Sequence, residues 1–329
     1  MGRRTVSMRG RLSAVLTCVL IGLLPACSPE EEVEPTSPDS PTTSPESPVE
    51  STSGAVSGEN PLAAATIAFT HEDVLYAAKG DGTGRFVITE FPGPPYPYAG
   101  AFWSPDGRQL IIRAETEPTP EREGAGYIFR VDIDGSVLVN LSAVSDSRGD
   151  AMPAWSPDGE HIVYAATKPG DRFTSLYVMK ADGSEPQRLV QLDFEAQYPA
   201  WSSRDMIAFA GVVGENFDIY SVRSNGSDLT RLTRQPGHDN WPTYSPDGRS
   251  IAFFSVQDGS EGIWVMDADG GDAELIAEGG EPNWSPDGRW ITFDCGDAER
   301  ALICAIRPDG SDLVELFEDA TFPVIRPSG

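Results

Sequence analysis

Basic side chains are scarce in this sequence. The 329 residues include 24 Lys+Arg against 51 Asp+Glu, a formal net charge of −27. Four of the basic residues, Arg3, Arg4, Arg9 and Arg11, precede residue 27, so the remainder is more acidic still. Such a surface repels phosphate backbones and anionic headgroups, which excludes nucleic acid as a partner. Histidine is rarer, with only His71, His161 and His238. They fall in three separate stretches of chain, which argues against a histidine-ligated metal centre. No Gly-x-Ser-x-Gly elbow stands at a strand-to-helix turn. No apolar run reaches the roughly 20 residues that a spanning helix needs. Glycine (33) and proline (28) are by contrast abundant, which excludes long helices, and 39% hydrophobic content excludes a wholly disordered chain.

Arg3 to Arg11 lead into an apolar stretch, Leu12 to Ala26, that ends in Leu24-Pro25-Ala26-Cys27. A basic start, a short apolar core and small residues before a cut describe an export signal over residues 1–26. The segment resembles the lipobox of bacterial lipoproteins, which implies that Cys27 is lipidated and becomes the new N-terminus; Pro25 departs from the residue usual there. Ser28 to Asn60 holds six prolines, eight serines, eight acids and no basic residue. That composition cannot build a core and favours an extended spacer, so residues 27–60 read as a lipidated, disordered tether.

Residues 61–329 repeat one unit. An aromatic followed by Ser-Pro-Asp-Gly recurs at Trp103–Gly107, Trp155–Gly159, Tyr244–Gly248 and Trp284–Gly288, with a worn copy, one residue shorter, at Trp201–Asp205. A second signature, Asp-Gly and a small residue, recurs at Asp134, Asp182, Asp269 and Asp309, with Asn225-Gly226-Ser227 as a variant. The first places proline where φ is already set, Asp where its side chain caps a turn, and Gly where positive φ is free of strain. The second is the strongest short hairpin signal. Runs such as Ile162-Val163-Tyr164 and Ile263-Trp264-Val265-Met266 lie between them. Each unit is therefore a four-stranded antiparallel blade. The aromatics at 103, 155, 201, 244 and 284 are 52, 46, 43 and 40 residues apart, and propeller blades repeat at about 40–50. Three strands but no first strand precede Trp103. Pro323-Val324-Ile325 aligns with Pro153-Ala154-Trp155, so the C-terminus is expected to supply the missing innermost strand and close an all-β, six-bladed propeller. A closed ring leaves no bare strand edge.

These signatures resemble the repeats of the TolB-like, WD-repeat-like β-propeller family across residues 61–329. The resemblance implies the fold. TolB proteins carry an additional α/β domain before the propeller; the Ser/Pro-rich spacer stands in that place here, so the likeness is to a propeller lipoprotein lacking that domain. Family members fused to serine peptidases need room that this chain does not offer.

Variable connections on a uniform scaffold mark the binding face. The chain entering each inner strand contributes to that rim Tyr98, Asp150, Gln197, Tyr198, His238, Asp239, Asn240, Trp241 and Glu281. Trp241, immediately before Pro242, is the leading contact aromatic, whereas Trp103, Trp155, Trp201 and Trp284 repeat at one position and are expected to pack between blades. Ordinary solvated loop residues around a water-filled hole are the competing interpretation. Asp106, Asp158, Asp247 and Asp287 are fully explained by their turns. Calcium loops beginning at Asp132 or Asp267 fail the ligand pattern, at Ala143 in the first and at Gly271 and Asp272 in the second. No cofactor is expected, and calcium remains only a weak alternative on the acidic surface. Cys295 and Cys304, in one hairpin, are expected to form a disulfide in an oxidising compartment.

The expected function is a non-enzymatic binding or scaffolding module, monomeric, exported and tethered by lipid to the outer face of a bacterial membrane, with an envelope protein or peptide as partner. The alternative is an envelope hydrolase or lyase working in the channel, which needs at least two convergent acid/base or metal groups.

Overall fold

Short β-rich runs separated by tight turns give 24 strands and no helix among the described residues, which are 60–71, 74–90, 100–115, 126–142, 150–257, 260–297 and 300–327 of the computed structural model. The export signal, Cys27, the tether and the rim residue Tyr98 lie outside them. All the strands belong to one unit, Val56–Gly329.

The strands are β1 (Thr66–His71), β2 (Val74–Lys79), β3 (Phe86–Glu90), β4 (Ala101–Trp103), β5 (Gln109–Glu115), β6 (Gly126–Asp132), β7 (Leu138–Asn140), β8 (Asp150–Trp155), β9 (His161–Ala166), β10 (Ser175–Lys180), β11 (Gln187–Arg188), β12 (Glu195–Trp201), β13 (Met206–Val213), β14 (Asn216–Arg223), β15 (Thr230–Arg231), β16 (His238–Tyr244), β17 (Ser250–Gln257), β18 (Ser260–Asp267), β19 (Glu274–Ala277), β20 (Gly280–Trp284), β21 (Ile291–Asp294), β22 (Leu302–Ile306), β23 (Val314–Glu318) and β24 (Thr321–Ile325). They form an all-β propeller of four-stranded antiparallel blades. Four sheets stand apart: β24-β1-β2-β3, β4 to β7, β8 to β11 and β20 to β23. The strands from β12 to β19 make one eight-stranded sheet, a merging that the repeats do not foretell. Its halves are each a four-stranded meander, and the one strand pairing that joins them is the parallel pair Phe217↔His238. The middle strands are buried along nearly their whole length, as in β9, while outermost strands such as β11 are exposed.

Each signature folds as its chemistry dictates. Ser104 Oγ donates to Asp106 Oδ1 at 2.6 Å, and that oxygen also accepts the Arg108 N–H at 3.1 Å. Ser156/Asp158, Ser245/Asp247 and Ser285/Asp287 repeat the bond. In the worn copy Asp205 adopts φ 64°, taking the left-handed role that glycine plays in the others, and its N–H still reaches Ser202 O.

The core lies between neighbouring blades. Ile111 and Ile128 pack with Trp155 and Tyr164, Ala208 and Ile219 with Tyr244 and Phe253, and Ile67 of the first blade with Trp290 and Ala305 of the last. Inner strands are also stitched side to side. The indole N–H groups of Trp103, Trp155 and Trp284 donate to Val324 O (3.0 Å), Phe102 O (3.3 Å) and Thr243 O (3.2 Å) on the preceding inner strand. These tryptophans do pack between blades, as their spacing suggests.

The C-terminal strand β24 pairs antiparallel with β1, through Ile67↔Ile325 and Ala68↔Val324. Further bonds hold it on both sides: Trp103 to Val324 O, Thr292 Oγ1 to Pro323 O (3.2 Å), and Arg326 Nε to Gly107 O (2.7 Å). Deleting residues 321–329 is therefore expected to abolish cooperative unfolding or lower Tm by more than about 10 °C, several kcal/mol for a domain of this size. Thermal melting of the truncated chain checks it.

Cys295 and Cys304 are disulfide-bonded, with Cα atoms 5.8 Å apart and a sequence separation of nine. Closing so short a loop restricts the unfolded chain by about 2–3 kcal/mol. Cys295→Ala/Cys304→Ala is expected to lower stability by that amount while leaving the circular dichroism spectrum unchanged, as chemical denaturation would read out.

Candidate binding site

Inner strands β8, β12, β16, β20 and β24 carry the same irregularity three residues before the repeating aromatic, or before Ile325 in β24. Met152, Tyr198, Trp241, Glu281 and Phe322 all have left-handed backbones, with φ between 48° and 58°. A proline follows each one: Pro153, Pro199, Pro242, Pro282 and Pro323. The ladder skips at these pairs, between Ala151 and Ala154, Gln197 and Ala200, Asn240 and Thr243, and Gly280 and Asn283. The result is a β-bulge, in which proline removes a ladder N–H that the bulge would otherwise leave unpaired. Just before β4 the corresponding residue is Gly100, at φ 80°, with Ala101 and no proline after it. A Cβ there would come within 2.9 Å of the Phe102 ring, which fills the space that Gly100 leaves.

A left-handed non-glycine residue costs about 1–3 kcal/mol, and such positions cluster where a binding surface must be shaped. Here they aim into one place. Met152, Tyr198, Trp241, Glu281, Phe322 and Phe102 line a cavity of about 350 Å³ running between the inner strands, within the range of small-ligand sites. Farther along it come Trp103, Trp155, Trp201, Tyr244, Trp284 and Ile325, and then the turn prolines Pro105, Pro157, Pro246, Pro286 and Pro327. Tyr198 and Trp241 meet edge to face, ring centroids 5.0 Å apart, and Trp241 meets Phe254 at 6.1 Å.

One acid interrupts this apolar lining. Glu281 places its carboxyl within hydrogen-bonding reach of Asp294 on β21. Asp294 also accepts the backbone N–H of Phe322, at 3.1 Å to Oδ1. Both residues are half-buried, but their carboxyls are surrounded by protein. Burial, and for Glu281 the adjacent Asp294 charge, pushes both above the usual carboxylate range, Asp294 to about 7. Two carboxyls this close are held by one shared proton.

The rim expected from sequence is thus partly assembled. Tyr198, Trp241 and Glu281 line the cavity; Gln197, His238 and Asn240 do not. His238 packs on Phe217, centroids 5.2 Å apart. Asp150 opens β8, and only its backbone is described. Asp239 is a correction: it is fully buried, accepts Ser255 Oγ at 2.5 Å, and offers nothing to a ligand at the surface. Strand alternation puts it on the opposite face of β16 from His238 and Asn240. Met152, Phe322, Phe102 and Asp294 were not anticipated. Aligning the repeats on the residue before proline would have found the first two; Asp294 has no such signal.

The turn aspartates behave in the opposite way to the buried pair. The serine hydroxyl is the main cause holding Asp106, Asp158 and Asp247 below the usual range. Their contribution to stability is present above the unfolded value near 3.8 and fades as pH falls. The buried pair is raised in the fold, so the unfolded chain ionises first as pH rises; its cost grows from about pH 4, through the value near 7 of Asp294, as both carboxyls are forced to ionise. Glu281→Gln is therefore expected to raise Tm at pH 8 by more than at pH 5. The difference should be roughly 2–4 °C for each kcal/mol relieved, and melts at the two pH values measure it.

Residues 203–322 match the TolB β-propeller domain, PD40. An uncharacterised protein of Agrobacterium fabrum is 29% identical over 212 residues, which cover 60% of this chain and 65% of that protein. The Tol-Pal system protein TolB of Bordetella pertussis is 33% identical over 158 residues, 46% of this chain and 34% of that protein. The chain therefore matches between a third and two thirds of the length of these relatives. The crystal structure of TolB from Acinetobacter baumannii has the same fold, with a TM-score of 0.67 at 19% identity, covering 80% of this chain and 67% of that one.

Proposed function

Because the chain belongs to the TolB-like β-propeller family, we propose that it is a non-enzymatic binding module that receives a protein or peptide partner in its central channel. The observation that carries this reading is the tier of Met152, Tyr198, Trp241 and Phe322, strained residues that share one cavity. Rigid aromatic anchors in a partly desolvated pocket are what protein partners use as hot spots.

Six blades closed by β24 form the scaffold of that channel. The eight-stranded sheet divides into two blades at its single bridge, and the packing of Ile67 against Trp290 supports a continuous ring. Residues 1–26 act as an export signal and 27–60 as a tether lipidated at Cys27, which holds the propeller at the outer face of a bacterial membrane. The disulfide in the last hairpin accords with an oxidising compartment. An envelope protein is then the natural partner.

Hydrolase or lyase chemistry has one observation in its favour, the Glu281–Asp294 pair, since raised carboxyls cluster at active sites. Asp294, however, is set back behind Glu281 and engaged by the Phe322 N–H, so the cavity is offered a single carboxyl.

Affinity capture from solubilised envelope, with wild-type protein and Trp241→Gly, tests the reading. Gly100 already occupies the equivalent position with a left-handed backbone, so glycine suits φ 48° and the fold is expected to survive. The expected outcome is a partner whose recovery falls about tenfold or more, the 1.4 kcal/mol or above that an aromatic hot spot supplies. Identical recoveries would remove the channel as the partner site.

A further inference from the structure

The chemistry of the partner group follows from the one charge in the channel, and the assignment rests on the channel being the binding site proposed above. Among the described residues lining the cavity, Glu281 alone is charged; the others are aromatic, aliphatic, proline or small and neutral. Neighbouring inner strands set Trp241 on one side of Glu281 and Phe322 on the other. Tyr198 and Phe254 pack against Trp241 and present further rings. A carboxyl pair among aromatic rings has no cationic side chain beside it in the lining to balance it. In the empty channel a shared proton meets that need. A ligand cation meets it better, because aromatic faces attract cations and the desolvated site strengthens the attraction.

We infer that the channel receives the ammonium group of a lysine side chain from the partner, with the aliphatic stem against Trp241, Tyr198 and Phe322 and the charge at Glu281. The bound ammonium replaces the shared proton, which leaves to solvent. Lysine fits better than arginine for a geometric reason. A guanidinium fork wants two free, parallel oxygens of one carboxylate. Glu281 faces Asp294, and Asp294 is held by the Phe322 N–H at 3.1 Å, so neither offers them. An ammonium is a compact charge with three rotatable donors and needs only one carboxylate oxygen. The chain's own segment 28–60 contains no basic residue and cannot supply this ligand. The net charge of −27 draws basic partners toward the molecule.

The test uses the full chain and four N-acetylated, C-amidated pentapeptides of glycine with lysine, arginine, norleucine or glutamate at the centre. Capping both ends removes the terminal ammonium as a rival source of charge. Tryptophan fluorescence reads binding, since Trp241 lies in the site. The lysine peptide is expected to bind about tenfold tighter than the norleucine one, a charge worth about 1.4 kcal/mol, and tighter than the arginine one. Glu281→Gln is expected to erase that preference, and a cooperative thermal melt of the variant shows that it is folded. Equal binding of lysine and norleucine, a lysine preference that survives Glu281→Gln, or no binding by any peptide would each overturn the lysine assignment. Should lysine and norleucine bind alike while Trp241→Gly weakens both, the channel remains the partner site and only the cationic ligand is lost. If Trp241→Gly also leaves partner capture unchanged, the channel reading fails on its own account.

Discussion

An indole N–H donating to a backbone carbonyl on the next inner strand holds the middle of this molecule together. Each inner strand pairs with its own blade along one edge and faces the channel and the neighbouring blade along the other. That second edge would leave carbonyls without partners if nothing reached them. Trp103, Trp155 and Trp284 each reach one. The same side chains bury apolar area between blades, so one residue type at one repeating position supplies both the hydrophobic contact and the polar bond. Tyr244 occupies this position in another blade, and its buried hydroxyl has no protein partner, because a phenol aims its donor along the ring axis where the indole aims it sideways.

The constraint propagates inward. With the aromatics committed to the blade interfaces, the channel wall is made by the residue three places earlier, and a bulge is needed to aim it there. The bulge accounts for the left-handed backbones and the prolines that follow them. Five strained residues represent a real cost in a fold whose net stability is only about 5–15 kcal/mol. A fold that needed only to pack its blades could have kept glycine at every one, as it does at Gly100. Large side chains there make sense as a surface built for contact. Glu281 is the exception within that tier, and its partner Asp294 ties the acid to the N–H of Phe322 in the C-terminal strand. The site and the C-terminal strand thus share an atom-level contact.

Much of the architecture was legible in the residues themselves. Turn chemistry is local, so Ser-Pro-Asp-Gly and Asp-Gly announce their hairpins wherever they occur. The worn copy at Trp201 was readable for the same reason, because Asp tolerates the left-handed region better than most residues with a side chain. The Cys295–Cys304 bridge could be anticipated because the two residues fall in adjacent strands of one hairpin. The pairing of β24 with β1, across nearly the whole domain, was visible only because the final residues still carry the repeat.

The site was less legible. Tyr198, Trp241 and Glu281 stood out by type, but Asp239 shared their neighbourhood in sequence and is buried, since alternation in a strand sends adjacent residues to opposite sides. Sequence by itself determined the unit, its turns and the residue types on each inner strand, because those depend on neighbours a few positions away. Tertiary structure alone decided that five bulged residues from distant repeats face one cavity, and that Glu281 meets Asp294. Those contacts depend on how the blades lie against one another, and no short-range pattern encodes that geometry.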